Sequence, residues 1–503
     1  MNIDRRFFVN AALLGAAGSL LPVRRLWADS TGPDAIPAEI AARTGSGKSI
    51  SLTASDIKDL DASLRGELLR AGDAGYDAAR RLWNPAFDRH PALIARCRGA
   101  ADVVQAVQFA RAHHLLTAVR GGGHSFSGQS GCDSGLVIDL SAMKGIRVDP
   151  PQRRARAEGG VLLGELDRET QGFGLATTLG NAPDTGIAGL TLGGGFGRLD
   201  RRFGLACDNL RSVDIVTADG RLRHASGQEN QDLFWAVRGG GGNFGVVTSF
   251  DYQLHPLGPK VLAGNRVFPF NQARSVLTTL TEFAENIPDE MYVALFVGRD
   301  SKRLSAGYEA LYSGAPSDGE RQLAPLQRLG NPLYDDVALK TYVAAQGGTG
   351  KESAGPSEMV IYCKSGFIGG RSTDLIDEVV RRFESSPPIV KWVLLFRHGG
   401  AVGRVKPDAT AFWNRWMHYT MLLIASWDDR SRSDENVRAA RAFWGALEPL
   451  TRNYYINTDV NEDERRLRAT YGDNYPRLVK LKDKYDPTNL FRLNANIKPT
   501  GQG

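Results

Sequence analysis

Arg120-Gly121-Gly122-Gly123-His124-Ser125 sets a run of residues without side chains directly before an imidazole. Glycine lets backbone N–H groups approach an anion closely, and successive N–H groups in a turn make an anion-binding concavity. The histidine behind them offers a ring nitrogen that can act as nucleophile or ligand. Gly193-Gly194-Gly195-Phe196-Gly197 forms a second glycine cluster, and Gly239 to Gly242 with Asn243-Phe244-Gly245 a third. Three glycine-rich approaches beside one histidine point to a large phosphate-bearing cofactor, held by backbone and open to a side-chain tether.

The elements that position these loops are legible as a mixed pattern. Apolar spacing predicts a helix over 57–69 and another over 100–113, with Val103, Val104, Val107 and Phe109 on the latter's apolar face. Residues 91–96 read as a strand, and 116–120 as a short strand running straight into the first glycine cluster. Strands follow at 136–140, 153–157, 213–217 and 246–250, with a helix over 162–171 between them. From about residue 260 the character changes: longer apolar strands (291–297, 359–362, 390–396, 419–425) alternate with helices such as 374–383 and 434–447. That pattern predicts an antiparallel sheet covered by helices, a second, α+β unit.

At 503 residues the chain is long enough for two or three domains. Its net charge of +6 looks suggestive of nucleic acid, but residues 1–28, with four arginines and one aspartate, contribute +3 of it. No basic run with interleaved aromatics is present, so nucleic-acid binding is not expected. The leader resembles a twin-arginine export signal: Arg5-Arg6, an aromatic at Phe8, and the apolar stretch Ala11 to Leu21 before Pro22. The apolar run is short for a membrane span, so a periplasmic or secreted protein without a stable membrane anchor is expected, exported by the twin-arginine machinery. Cys97, Cys132, Cys207 and Cys363 lack C-x-x-C spacing, which argues against a zinc ribbon or iron–sulfur cluster; an oxidising destination permits a disulfide whose pairing spacing does not give, and buried free thiols are the expected state.

Two familiar phosphate motifs fail on context. Gly45-Ser-Gly47-Lys48-Ser49 has alanine at 42 where a P-loop needs glycine, and it lies in a polar connector reaching to about residue 49. Gly240-Gly-Gly242-Asn-Phe-Gly245 formally fits G-x-G-x-x-G, yet Val246 onward reads as a strand where a dinucleotide fold needs a helix. A nicotinamide site is therefore disfavoured, and an NAD(P)H-using reductase lacks its fingerprint.

The complete set of blocks is more specific. Arg120-Gly-Gly-Gly-His-Ser with Gly135-Leu-Val-Ile-Asp139, then Gly186-Ile-Ala-Gly189-Leu-Thr-Leu-Gly193-Gly-Gly-Phe-Gly197, resemble the two halves of a vanillyl-alcohol-oxidase-type (PCMH-type) FAD domain. Leu233 to Val247 resembles its close, and Tyr471 to Ile497 the tail of berberine-bridge-enzyme-like oxidases. The resemblance implies an α+β fold: a PCMH-type FAD-binding domain of two α+β subdomains over 85–258 and a substrate domain over 259–450, its antiparallel sheet covered by helices. A leader over 1–28, a connector and helix over 29–84, and a C-terminal segment over 451–498 returning to the FAD domain complete the expected organisation.

By the same resemblance FAD is held by Arg120, Gly121, Gly122, Gly123, His124, Ser125, Asp184, Thr185, Gly186, Gly189, Leu190, Gly193, Gly194, Gly195, Gly197, Val246 and Asn496. His124 matches the histidine that family members bond to the flavin 8α-methyl group. The place of the second, cysteine tether found in many relatives is taken by Ala182, so a single covalent bond is expected; Cys207 lies on the other side of the cluster, beside Asp208-Asn209. Tyr455 and Asn457 match the family's Tyr-x-Asn segment and are the candidate catalytic pair. A phenol with an ordinary pKa of about 10 needs a lowered pKa or a proton relay to act as base. Thr185 stands where family members control oxygen access.

The expected activity is that of an exported FAD-dependent oxidoreductase. It takes a hydride from a C–OH or C–N carbon of a small organic substrate and is reoxidised by dioxygen or another acceptor. Phe412, Trp413, Trp416 and Tyr419 are candidates to line the substrate pocket or to pack the core. The competing reading is a flavin-containing small-molecule binding or resistance protein without efficient turnover. No metal site is expected.

Overall fold

In the computed structural model the described residues are 38–300, 303–348, 357–370, 373–458 and 463–501. The leader expected over 1–28 lies outside them. Within the polar connector, Glu39–Arg43 and Ser49–Thr53 form an antiparallel hairpin. The P-loop look-alike is its turn, closed by Thr44 N–H to Lys48 O at 2.8 Å and with Gly47 at φ +88°. Composition that looked like linker is turn chemistry.

The helix predicted over 57–69 is Ala54–Ser63, begun by a capping box between Thr53 and Asp56. It ends because Leu64 is extended, and Glu67–Leu69 is a strand paired with Leu93–Arg96. Leu68 and Leu69 were apolar at helical spacing, but the sheet edge claims them. The resulting four-stranded sheet has the spatial order Glu67–Leu69, Leu93–Arg96, Leu136–Asp139, Thr117–Arg120, with the last three parallel. Helix Ala100–Ala112 covers it with Val103, Ala106, Val107 and Ala110. Phe109, assigned to that apolar face, is only partly buried.

A second sheet of five antiparallel strands runs Leu222–Ser226, Leu210–Val216, Val246–Gln253, Arg154–Glu158, Ile146–Asp149. Helices Leu163–Gln171, Gln231–Val237 and Tyr475–Tyr485 share its core, so the C-terminal segment packs into the region around the third glycine cluster. Lys482 fastens it there: its fully buried ammonium donates to Asp486 at 2.7 Å, Asn243 O at 2.8 Å and Phe491 O at 2.9 Å.

The third sheet has eight antiparallel strands, the long ones being Lys260–Pro269, Met291–Asp300, Arg303–Tyr312, Val360–Ile368, Val390–Arg397 and Tyr419–Trp427. Its period-two alternation divides the work. Met291, Val293, Leu295 and Val297 face helices Ala273–Phe283, Thr373–Glu384 and Ser433–Leu447, while Tyr292, Ala294, Phe396 and Leu422 pack on the other face with Leu199 and Ala176. The α+β class, with a cofactor-type domain and a helix-covered antiparallel sheet, is thus observed. All four cysteines are buried and outside any disulfide. Among the described residues no helix is long and apolar enough to cross a membrane.

Candidate active site where three glycine loops meet

Thr117–Arg120 is a parallel strand, and Gly121–Ser125 leaves its carboxyl end, the side on which such sheets bind ligands. Among the described residues no backbone N–H from Gly121 through Ser125 donates to a protein acceptor. Gly123 is buried and the other four residues are half-buried, so five successive N–H groups without a protein acceptor are available to an anion. Gly122 lies against Gly186: a Cβ on Gly122 would stand 2.5 Å from the Gly186 Cα. Only glycine at both positions lets the first and second loops touch backbone to backbone. Gly121 approaches the Gly159 carbonyl, and Gly123, at φ +74°, sits beneath the Arg120 side chain. Arg120 itself turns inward, bonding the Ala79 carbonyl with Asp139 4.0 Å away. It shapes the loop.

His124 is held in a closed aromatic slot. Trp83 stacks on its ring at 4.1 Å and 21°, and Phe126 meets it edge-on at 5.4 Å. Asp184 Oδ1 lies 3.6 Å from Nε2. Burial pulls the imidazole below its ordinary pKa against the opposing pull of Asp184, which favours the neutral, nucleophilic ring. Trp83 carries no motif and was not singled out from sequence. Its signal is purely spatial, although its backbone N–H to Gly123 O at 3.0 Å ties it to the loop. Ser125 Oγ accepts from Gln129 N–H at 3.2 Å.

The second loop is built differently. Asp184 and Thr185 lead into helix Ile187–Leu192, with Thr185 N–H closing a turn on Ala182 O. Gly193, Gly194 and Gly195 spend their amides on Gly189 O, Thr191 O and the Tyr455 hydroxyl. These glycines therefore supply room: a Cβ would meet Asn457 at Gly193, Phe412 at Gly194, Ala206 at Gly195 and the Leu179 carbonyl at Gly197. Gly189 has open space around it. Leu190 O accepts from Asn457 Nδ2 at 3.1 Å.

Tyr455 and Asn457 come together on this loop. The Tyr455 oxygen accepts Asn457 Nδ2–H at 2.8 Å and Gly195 N–H at 3.2 Å. Burial pushes its pKa well up, so the lowered value that a phenolate base requires is not what the surroundings produce. Phe196 packs on its ring at 4.7 Å.

The third loop wraps the end of helix Ile187–Leu192, with Gly239 and Gly241 N–H both donating to Leu192 O. Asn243 Oδ1 accepts Ile497 N–H, which brings Asn496 alongside, its Oδ1 buried without a partner among the described residues. The Val246 side chain is in the hydrophobic core. Of the aromatics proposed to line a pocket, Phe412 packs on Gly194 and Gly239, Trp413 on Gly472, and Trp416 on Gly369. Tyr419 points to the helix side of the large sheet, away from the site, because strand parity gives the inner face to Thr420 instead.

Unspent amides at Gly121–Ser125, the orphaned Asn496 carbonyl oxygen and a neutral buried histidine fit an extended diphosphate-bearing flavin dinucleotide. Comparison with known proteins agrees. Residues 91–226 match the FAD binding domain family, and residues 454–498 the family of berberine and berberine-like proteins. The (R)-6-hydroxynicotine oxidase of Paenarthrobacter nicotinovorans is 34% identical over 451 residues, 87% of this chain and 98% of the relative. The crystal structure of 6-hydroxy-D-nicotine oxidase from Arthrobacter nicotinovorans aligns with a TM-score of 0.79 at 31% identity, covering 87% of this chain and 98% of its own. Xylooligosaccharide oxidase from Myceliophthora thermophila C1, solved with xylobiose, aligns with a TM-score of 0.77 at 25% identity, covering 88% and 99%.

Proposed function

Because the chain belongs to the berberine-bridge-enzyme-like family of FAD-linked oxidoreductases, we propose that it oxidises a C–OH or C–N carbon of a small organic substrate on FAD tethered through His124 alone. Bound FAD supplies the electron sink, taking a hydride at N5 and passing the electrons to dioxygen or another acceptor. The observation that carries the reading is the run of unspent amides ending in a buried neutral histidine.

Gly121–Ser125 would hold the diphosphate through backbone N–H groups, with Gly186 and Asn496 against the same ligand. Ala182 leaves no thiol where a second tether would form. Cys207 is fully buried with its pKa pushed up by desolvation, which keeps it a thiol and a poor nucleophile. Tyr455 is neutral in these surroundings. With its lone pairs engaged by Asn457 and Gly195, its O–H hydrogen is left to orient the substrate heteroatom. The relatives' names cover an amine-bearing and a sugar substrate, which supports the C–N and C–OH alternatives equally.

Acid precipitation tests the tether. Yellow colour stays in the wild-type pellet and leaves with the supernatant in His124→Ala; release of all flavin from wild type would overturn single-histidine attachment. A panel of alcohols, amines and oligosaccharides, read by peroxide release and by anaerobic bleaching, then tests turnover. A flavin that no panel member bleaches supports a binding protein instead. Arg5-Arg6 supports export by the twin-arginine route to the periplasm; replacing both by lysine should leave the protein in the cytoplasm on cell fractionation.

A further inference from the structure

The face of the large sheet turned away from its helices reaches from one end of the site to the other. At the His124 end, Asn84 fastens the first glycine loop to strand Val360–Ile368. Its Nδ2 donates to the Phe126 and Ile361 carbonyls at 2.8 Å each, and its Oδ1 accepts Ile361 N–H at 3.2 Å. Phe126 lies edge-on to His124. At the other end, Phe196 packs on the Tyr455 ring at 4.7 Å and on Phe396 of strand Val390–Arg397 at 5.4 Å. Between these ends the register sets Leu394 opposite Leu422, and Ile424 opposite Cys363, on the same face. Together with Phe126 and Phe196 they form one apolar cluster.

This wall is not packed shut. Val393, Leu395 and Leu423, on the helix side of the same strands, are 1%, 3% and 0% exposed. Ile361, Leu394 and Ile424 on the inner side are half-buried, as are Phe126 and Phe196. Their remaining surface faces the space between the sheet and the glycine loops, and apolar area left open beside a site fits an apolar ligand. The polar side chains of this face are committed elsewhere. Ser365 Oγ lies 2.5 Å from Thr458 Oγ1 and accepts Tyr455 N–H at 3.1 Å, and Thr420 Oγ1 lies 2.8 Å from His398 Nε2. Glu309, in the same cross-strand row as Phe396, takes Arg198 on Oε1 at 2.6 Å and the Tyr292 hydroxyl on Oε2 at 3.3 Å, so its charge is matched within the fold. Among the described residues, the wall between Phe126 and Phe196 offers no carboxylate to an ammonium group and no set of polar side chains to a sugar. Polar groups lie at its ends, Tyr455 with Asn457 at one and His124 with Asp184 at the other.

We propose that the site takes an uncharged, lipophilic alcohol, its hydroxyl at the Tyr455–Asn457 pair and its hydrocarbon body against Leu394, Leu422, Ile424 and Ile361. The inference rests on the oxidoreductase reading above and narrows it to C–OH oxidation. The alcohol carbon becomes a carbonyl carbon, and the two electrons and two protons released end in hydrogen peroxide when dioxygen is the acceptor. An amine of ordinary basicity enters as an ammonium ion and loses its water against Leu394 with no counter-charge to replace it. An oligosaccharide leaves most of its hydroxyls without partners on such a wall. A lipophilic alcohol gives up one hydroxyl's hydration, and Tyr455 replaces it.

Calorimetric titration of the purified flavoenzyme tests this without turnover. Along benzyl alcohol and its 4-methyl, 4-ethyl and 4-propyl homologues, Kd should fall by about fourfold per added carbon. Benzylammonium at pH 7 should bind about tenfold more weakly than benzyl alcohol, and xylobiose should give no saturable heat. Leu394→Glu should reverse the order of benzyl alcohol and benzylammonium, whereas Leu394→Met should keep it. FAD content and Tm show whether the variants fold; if they do not, the wild-type series decides. No saturable binding by any homologue, a Kd flat along the series, or tighter binding of xylobiose or benzylammonium than of 4-propylbenzyl alcohol overturns the proposal. Anaerobic bleaching of the flavin by the same panel separates the two readings. Alcohols that bind in the expected order without bleaching it leave the lipophilic site standing and sink the oxidoreductase reading.

Discussion

Backbone contact between Gly122 and Gly186 leaves no room for a methyl group, since a Cβ at Gly122 would sit 2.5 Å from the Gly186 Cα and 2.9 Å from Leu162 Cδ2. The backbone on one side cannot yield without moving the cradle. Gly122→Ala is therefore expected to cost about 1–3 kcal/mol in stability and to lower FAD content sharply, measured by Tm and by the flavin-to-protein absorbance ratio. Trp83 acts on the neighbouring residue by stacking on His124. If His124 carries the tether proposed for it, Trp83→Ala should leave FAD bound but slow that attachment, because the ring loses the surface that fixes its plane; Trp83→Phe should recover most of it. The fraction of colour in an acid-precipitated pellet reports both. His124 was legible from its motif, whereas Trp83 was not, because stacking across a fold leaves no spacing in the chain.

Helix Leu163–Gln171 shows how an element can carry a titration. Asp167 on its buried face accepts Gln346 Nε2 at 3.2 Å, and burial pushes its pKa up to about 7. The folded state then holds a proton that the unfolded chain, with a carboxyl near its ordinary value, has released. Between about pH 4 and 7 the folded protein binds more protons, so stability falls as pH rises through this window. Asp167→Asn should remove that slope and stabilise the protein at pH 7 and above by up to about 4 kcal/mol, with little change at pH 4, measured by Tm against pH. Element type was mostly readable: periodicity found Ala100–Ala112 and Ser433–Leu447 within a residue or two. It failed at Glu67–Leu69, where pairing with Ala95 and Ile94 overrode helical spacing, and in the 39–53 hairpin, whose turn residues imitate a linker.

Across the whole molecule, the tail is what closes the cofactor side. Lys482, Asp486 and the carbonyls of Asn243 and Phe491 form a satisfied network inside the fold, and residues beyond it carry Asn496 to the third glycine loop. Lys482→Met would leave Asp486 charged and unmatched, at an expected cost of about 3–5 kcal/mol. FAD content should fall together with Tm, since the same tail serves both; a lowered Tm with full FAD content would separate the two roles.

The amino-acid sequence by itself determined the glycine loops, the histidine after the first of them, the Tyr455–Asn457 pair and the alternation of the large sheet. Each is a local pattern, set by residue type and spacing. Tertiary structure alone decided which amides stay unspent, that Gly193–Gly195 provide space while Gly121–Ser125 provide donors, and that Thr420 rather than Tyr419 takes the inner face. It also joined Asp200 to His398 across 198 residues of chain. Those outcomes depend on which groups find partners when distant segments pack, and desolvation then acts on the groups so enclosed.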